Sequence, residues 1–334
     1  MAGKSEHLGW MKKGDDLMEW KQYRQALKAF EQAIKAKGNH APAWKGKGMA
    51  LMELEEFDRA VQCFDKFIKL TPESGEGWTL KANALEEMGD YPAVEACYAA
   101  ARSAFPDEPT LNFFEGVYLN RTKQFDRAIE AFSRMIDHSP DPLSLTARSH
   151  ALEQTGQLEL ALEDLDRIAI YGNFYMVQQS RGEVLEKLER YDEALEAYTI
   201  AVRDEPGVAF LWQKKGDLLE RLERNDEALA WYTLSVNAIG YKGLQMKAQL
   251  LQQLKRYDEA LVAFQQVAEL EPQDAQTYYD QAVCCYELAD MEGTIAALKS
   301  AIALQPETMR DLLQNDPLFR SQLNQSEFQA LLVM

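Results

Sequence analysis

Apolar and polar residues alternate along this chain every three to four positions, and the alternation itself repeats. In residues 41–74, Trp44, Gly48, Leu51 and Leu54 fall on one stripe of a helix. After Glu55 and Glu56 comes a second stripe: Phe57, Ala60, Val61, Phe64 and Phe67. Pro72 stops that second helix, because proline lacks the amide donor and clashes with the preceding turn. Two helices within so short a span leave only brief connections, which predicts an antiparallel pair. Gly48 and Ala60 let the two backbones approach where they cross, and Trp44, Leu51 and Phe64 fill the space beside that contact.

The same unit recurs. Ala26, Ala60, Ala128, Ala161, Ala194, Ala228 and Ala260, with Val94 and Thr294 in the two remaining slots, are spaced 32–34 residues apart. Twelve residues after a slot stand Pro72, Pro106, Pro140, Pro206, Pro272 and Pro306. Twelve residues before each slot stands a small residue: Gly14, Gly48, Ala82, Gly116, Ser149, Gly182, Gly216, Ala248 and Ala282. Three markers in phase predict nine helix pairs, at 7–40, 41–74, 75–108, 109–141, 142–174, 175–208, 209–240, 241–274 and 275–308. The fifth copy departs most, with Ser149 at the small position and Gly172-Asn173 where proline is expected, and reads as a local bend. Residues 309–334 carry Leu312, Leu313, Leu318, Phe319, Leu323, Phe328, Leu331 and Leu332. They are expected to form a capping helix and tail over the last pair, because an array end needs a cover.

The order Trp, Gly, Leu, Tyr/Phe, Ala, Phe/Tyr, Ala, Pro at these offsets resembles the tetratricopeptide repeat (TPR) over about nine tenths of the chain. The resemblance implies an all-α fold, a right-handed superhelical solenoid of antiparallel helix pairs. The first helices would line the inner face and the second helices the outer face. It also implies a non-enzymatic role in protein–protein interaction, with a peptide segment or helix bound along the inner groove.

Composition narrows the picture. Apolar residues make up 46% of the 334 residues, enough for a continuous core. Net charge is −18, which argues against nucleic acid as the main partner. Residues 1–47 run against this trend, with ten Lys/Arg and five acids. Cys63, Cys97, Cys284 and Cys285 have neither CxxC nor zinc spacing, and a reducing compartment suits them. The residues from Met1 to Asp16 lack the apolar core of a signal peptide, and no apolar run reaches membrane-span length. A soluble, cytoplasmic protein without membrane contact is expected. No P-loop, GxGxxG or GxSxG motif is present, and His7, His40, His138 and His150 have no metal-binding spacing. Neither catalysis, a cofactor nor a metal is expected.

Specificity is therefore sought on the first helices, at the positions that the resemblance assigns to the groove. Three zones emerge. Toward the N-terminus stand Met11, Met18, Lys45, Met49 and Met52, whose methionines suit an irregular apolar partner. Asn83, Phe113, Asn120 and His150 follow. The middle zone carries Gln179, Glu183, Glu186, Gln213, Asp217 and Glu220, and its stacked acids predict a ligand with basic residues, unless Lys187 and Arg221 neutralise them. The last zone offers Gln245, Gln249, Tyr279 and Tyr286, groups suited to an extended peptide backbone. The carboxylate clamp of the co-chaperone TPR subgroup needs Lys and Asn at fixed places. Here those places hold Met11 and Asp15, then Lys45 and Met49, so the clamp is not met. An alternative expectation is self-association, through end stacking or docking of the apolar tail ending Leu331-Leu332-Val333-Met334.

Overall fold

The computed structural model describes residues 3–169, 171–172 and 174–333, and among these every regular element is an α-helix. First helices are α1 (Gly3–Glu19), α3 (Ala41–Met52), α5 (Glu76–Glu87), α7 (Pro109–Arg121), α9 (Pro142–Gln154), α11 (Tyr175–Lys187), α13 (Ala209–Arg221), α15 (Tyr241–Gln253) and α17 (Ala275–Glu287). They alternate with second helices α2 (Tyr23–Ala36), α4 (Phe57–Leu70), α6 (Tyr91–Ala104), α8 (Phe125–His138), α10 (Leu158–Ala169), α12 (Tyr191–Asp204), α14 (Asn225–Ile239), α16 (Tyr257–Leu270) and α18 (Met291–Leu304). Two further helices follow, α19 (Pro306–Asn315) and α20 (Ser326–Val333). The chain forms two compact units, Met1–Tyr171 and Gly172–Met334. Each unit is a stack of antiparallel helix pairs.

The repeating markers are the residues that close each pair. Ala26, Ala60, Ala128, Ala161, Ala194, Ala228 and Ala260 are fully buried. At Gly48 an added Cβ would come within 2.5 Å of the Phe64 ring, so the ring lies where a side chain would otherwise stand. The second helices start on the predicted aromatic at Phe57, Tyr91, Phe125, Tyr191 and Tyr257.

The turns inside the pairs follow one pattern that residue types conceal. Lys21, Glu55, Lys123, Glu189, Glu223, Lys255 and Ala289 all adopt φ near +56° to +60°, with Gly89 and Gly156 at the matching places. Seven of these nine turns therefore hold a side chain in the left-handed region that glycine favours.

At the C-terminal end, Leu313, Phe319, Phe328 and Leu331 are fully buried in one cluster with Tyr279, Leu298 and Ile302. Pro317 follows Asp316, and the segment leaves the helix there before α20 begins.

Candidate functional site

In the N-terminal unit, Met11 and Met18 pack against the core formed by Leu17, Ala26, Ala29 and Phe30. Met52 packs against the next core, around Leu51, Ala60 and Phe64. Of the four methionines expected on the groove, three are thus partly buried against their own helix pairs. Met49 is exposed, as is Leu8. Lys45 bridges to Glu76 at 2.5 Å across neighbouring first helices. Asn83 is exposed. The Phe113 ring meets Phe132 edge-on at 6.1 Å and is partly buried. Asn120 donates from Nδ2 to the Ala147 carbonyl at 2.9 Å, while its buried Oδ1 has no partner among the described residues. His150 is exposed, with its ring 6.1 Å from Phe125. Burial pushes the carboxyls of Asp15 and Glu86 above their ordinary range. For Asp15 the neighbouring Asp16 and Glu19 add to that push.

In the C-terminal unit the acids are not an open patch. Glu183 accepts from Gln179 at 3.3 Å and pairs with Lys214 at 2.9 Å. Glu186 accepts from the Tyr198 hydroxyl at 2.5 Å and from Arg221. Glu220 accepts from the Tyr232 hydroxyl at 2.9 Å, and Asp217 reaches the same hydroxyl. Burial is the first cause that raises both Asp217 and Glu220, so these carboxyls hold protons more readily than free ones. The basic-ligand expectation is therefore cut back to Asp217 and Glu220. Glu183 and Glu186 already have cations from the following first helix, Lys214 and Arg221, because long basic side chains reach across to a neighbouring carboxylate.

Gln213 and Gln249 are exposed, whereas Gln245 makes a long contact of 3.5 Å to Asp274. Tyr279 and Tyr286 require a second correction. Tyr279 is 3% exposed and donates to Asp316 at 2.7 Å. The Tyr286 hydroxyl accepts from Gln322 at 2.9 Å, and both rings pack edge-on against Phe319. The segment after α19 covers these two phenols. The tail itself is also largely committed: Phe328 and Leu331 are buried in their own chain, Val333 is exposed, and Met334 lies outside the described residues.

One set of surface residues went unread in the sequence. The second residues of several first helices are large, apolar and exposed: Leu143 in the N-terminal unit, and Met176 and Phe210 in the C-terminal unit, at 63%, 64% and 48%. Lys214 lies over the Phe210 ring at 5.1 Å. The sign was available, because a large apolar residue outside the repeat core has no packing reason to recur. No group of His, Cys, Asp or Glu among the described residues is arranged to hold a metal ion. No described helix is long and apolar enough to cross a membrane.

A protein-family model described as the tetratricopeptide repeat matches residues 17–84, and a second of the same description matches residues 79–142, 180–240 and 246–307. No curated protein matches the chain. Among solved structures, the chain is similar to YrrB, described as a TPR protein with an unusual peptide-binding site. That match has 25% identity over 54% of this chain and 95% of the other, with a TM-score of 0.39. It is similar to MamA residues 41 to the end from Desulfovibrio magneticus RS-1 (19% identity, 49% and 93% covered, TM-score 0.41). It is also similar to a chain of the APC/C hetero-tetramer Cut9–Hcn1 (16% identity, 87% and 58% covered, TM-score 0.38).

Proposed function

Because the chain belongs to the tetratricopeptide repeat family, we propose that it is a non-enzymatic protein-interaction scaffold that binds a peptide segment or helix along its first helices. In this reading the first helices of the C-terminal unit carry the binding surface, and residues 309–334 cap that unit.

The observation that carries the proposal is the exposure of Met176 and Phe210. Each is the second residue of its helix, one repeat apart, and neither contributes to a helix-pair core. Exposed apolar side chains in matching positions are what an apolar anchor of a bound segment would cover. Gln213 and Gln249 supply amides for a peptide backbone, and Asp217 with Glu220 favours one basic residue in the ligand.

Peptides selected from a random library against the full chain test this reading. Met176→Ala with Phe210→Ala should weaken the selected peptides by about tenfold or more, the order of one buried apolar anchor. Asp217→Asn with Glu220→Gln should weaken only ligands bearing Lys or Arg, and less so at high salt. Selection of no peptide, or of peptides indifferent to both double variants, overturns the assignment.

A further inference from the structure

The second helices present an outer stripe opposite their buried side. It is formed by the second, sixth and thirteenth residues, which lie within about 40° of one another at 3.6 residues per turn. In α2 the stripe is Arg24, Lys28 and Lys35. In α8, a helix of the same length, it is Asp126, Glu130 and Asp137. All six side chains are exposed, and none forms an ion pair among the described residues.

Both stripes stand out from their equivalents. The corresponding residues are Asp58, Gln62 and Lys69 in α4, and Pro92, Ala96 and Ser103 in α6. No other stripe described in full carries three charges of one sign. Arg24 also breaks a local rule. The first turn of a helix favours negative charge, and α4, α8, α10, α12, α14, α16 and α18 each place an acid there. α2 has none and places Arg24 instead. No ion pair among the described residues uses that charge.

We propose that the outer stripe of α2 docks against α8 of a second copy of this chain, with Arg24, Lys28 and Lys35 facing Asp126, Glu130 and Asp137. Equal spacing brings all three pairs into register when the two helices run parallel. A two-fold axis along the helices then brings α8 of the first copy against α2 of the second, and the contact closes as a pair. α4 and α6 face each other between the stripes, where the α6 stripe carries no charge to oppose the approach. Each copy carries a net charge of −18, but at physiological ionic strength charges more than about 8 Å apart are largely screened. The complementary stripes act inside that distance. Exposed ion pairs contribute little individually, so the association is weak and salt-sensitive. The surface lies on the second helices, so this inference and the first-helix ligand reading fail independently.

A charge exchange tests it. One full-length variant carries Arg24→Glu, Lys28→Glu and Lys35→Glu; the other carries Asp126→Lys, Glu130→Lys and Asp137→Lys. Sedimentation velocity across a dilution series should show wild type forming a dimer that dissociates as salt is raised. Each variant alone should associate at least about tenfold more weakly. An equimolar mixture should recover the dimer, because both stripe contacts are again complementary. Unchanged helix content by circular dichroism confirms folding. Wild type that stays monomeric at every concentration, variants that associate like wild type, or a mixture that stays monomeric overturns the proposal. So does a monomeric wild type that binds phosphatidylserine vesicles or polyglutamate through the α2 stripe, since the occupant is then an anionic lipid or another acidic chain.

Discussion

Asp164 on α10 is 1% exposed and faces Arg148 on α9 in a two-pronged ion pair, with contacts of 2.6 and 2.7 Å. The third guanidinium nitrogen donates to Ser133 on α8 at 2.9 Å, so one arginine ties three helices together. Asp164→Ala would strand a guanidinium whose side chain is only 17% exposed. Breaking a buried pair by removing one partner costs about 3–5 kcal/mol. The remaining exposed edge of Arg148 recovers part of this through water, giving about 2–4 kcal/mol here. Arg148→Met should cost somewhat less, because Arg167 stands 3.7 Å from Asp164 and partly replaces the lost charge. The double variant should be more stable than the sum of the single losses predicts by at least about 1.5 kcal/mol. Urea denaturation of the full chain gives these differences. Hydrogen exchange should place the loosening in α8, α9 and α10, because repeat arrays open locally. A loss under about 1 kcal/mol for Asp164→Ala, or single losses that add within about 0.5 kcal/mol, would refute the reasoning.

Burial raises the carboxyl of Asp280 to about 6, with one opposing hydrogen bond, from Gln276. A carboxyl raised on folding adds stability that is present below its unfolded value and lost as pH rises through about 6, by about 2–3 kcal/mol here. Asp280→Asn should therefore stabilise the chain at pH 7 and flatten the decline between about pH 4 and 6; equal urea midpoints for both proteins at pH 7 would sink this. Ala289 sits at φ +59°, so Ala289→Gly should raise stability by about 0.5–1 kcal/mol, and a fall in melting temperature would count against it. Burial pushes the Cys97 thiol to about 11 and the Cys284 thiol to about 12. Neither should react with iodoacetamide in the native chain at pH 8, and rapid labelling of either would show the environment to be misjudged.

The helix pairs were legible because one packing problem recurs, and its solution needs the same small and aromatic residues each time. Periodicity placed the starts of α4, α8, α12 and α16 on Phe57, Phe125, Tyr191 and Tyr257. It was silent on the turns, because Lys, Glu and Ala occupy a left-handed conformation that only Gly89 and Gly156 advertise. The groove was less legible for a different reason. Glu183 and Lys214 are 31 residues apart in sequence, and which charge neutralises which depends on how neighbouring first helices pack. Tyr279 was misread because the segment around Phe319 has no periodicity that would announce where it folds back.

The seventh residue of the repeat unit, carried on the first helix, shows how a repeat array records the order of its members. Lys47 reaches back to Glu31 on the preceding second helix at 3.0 Å, and Lys81 reaches back to Asp65 at 2.8 Å. In α7 the signs reverse: Glu115 is almost fully buried and meets Arg102 of α6 and Arg134 of α8. Burial raises the Glu115 carboxyl and the two arginines oppose that shift, so the acid depends on having both neighbours in place. Stacking α7 after α2 or α4 would set Glu115 against Glu31 or Asp65, two carboxylates at a partly buried contact. Stacking α3 or α5 after α6 would set a lysine against Arg102. Apolar packing alone would accept any of these orders, since a small residue (Gly14, Gly48, Ala82 or Gly116) holds the same place in each pair, and the three glycines meet an aromatic ring at nearly the same distance. The reversed charge penalises the wrong neighbours, which is how an ion pair of modest net worth gives a uniform core a unique sequence of repeats.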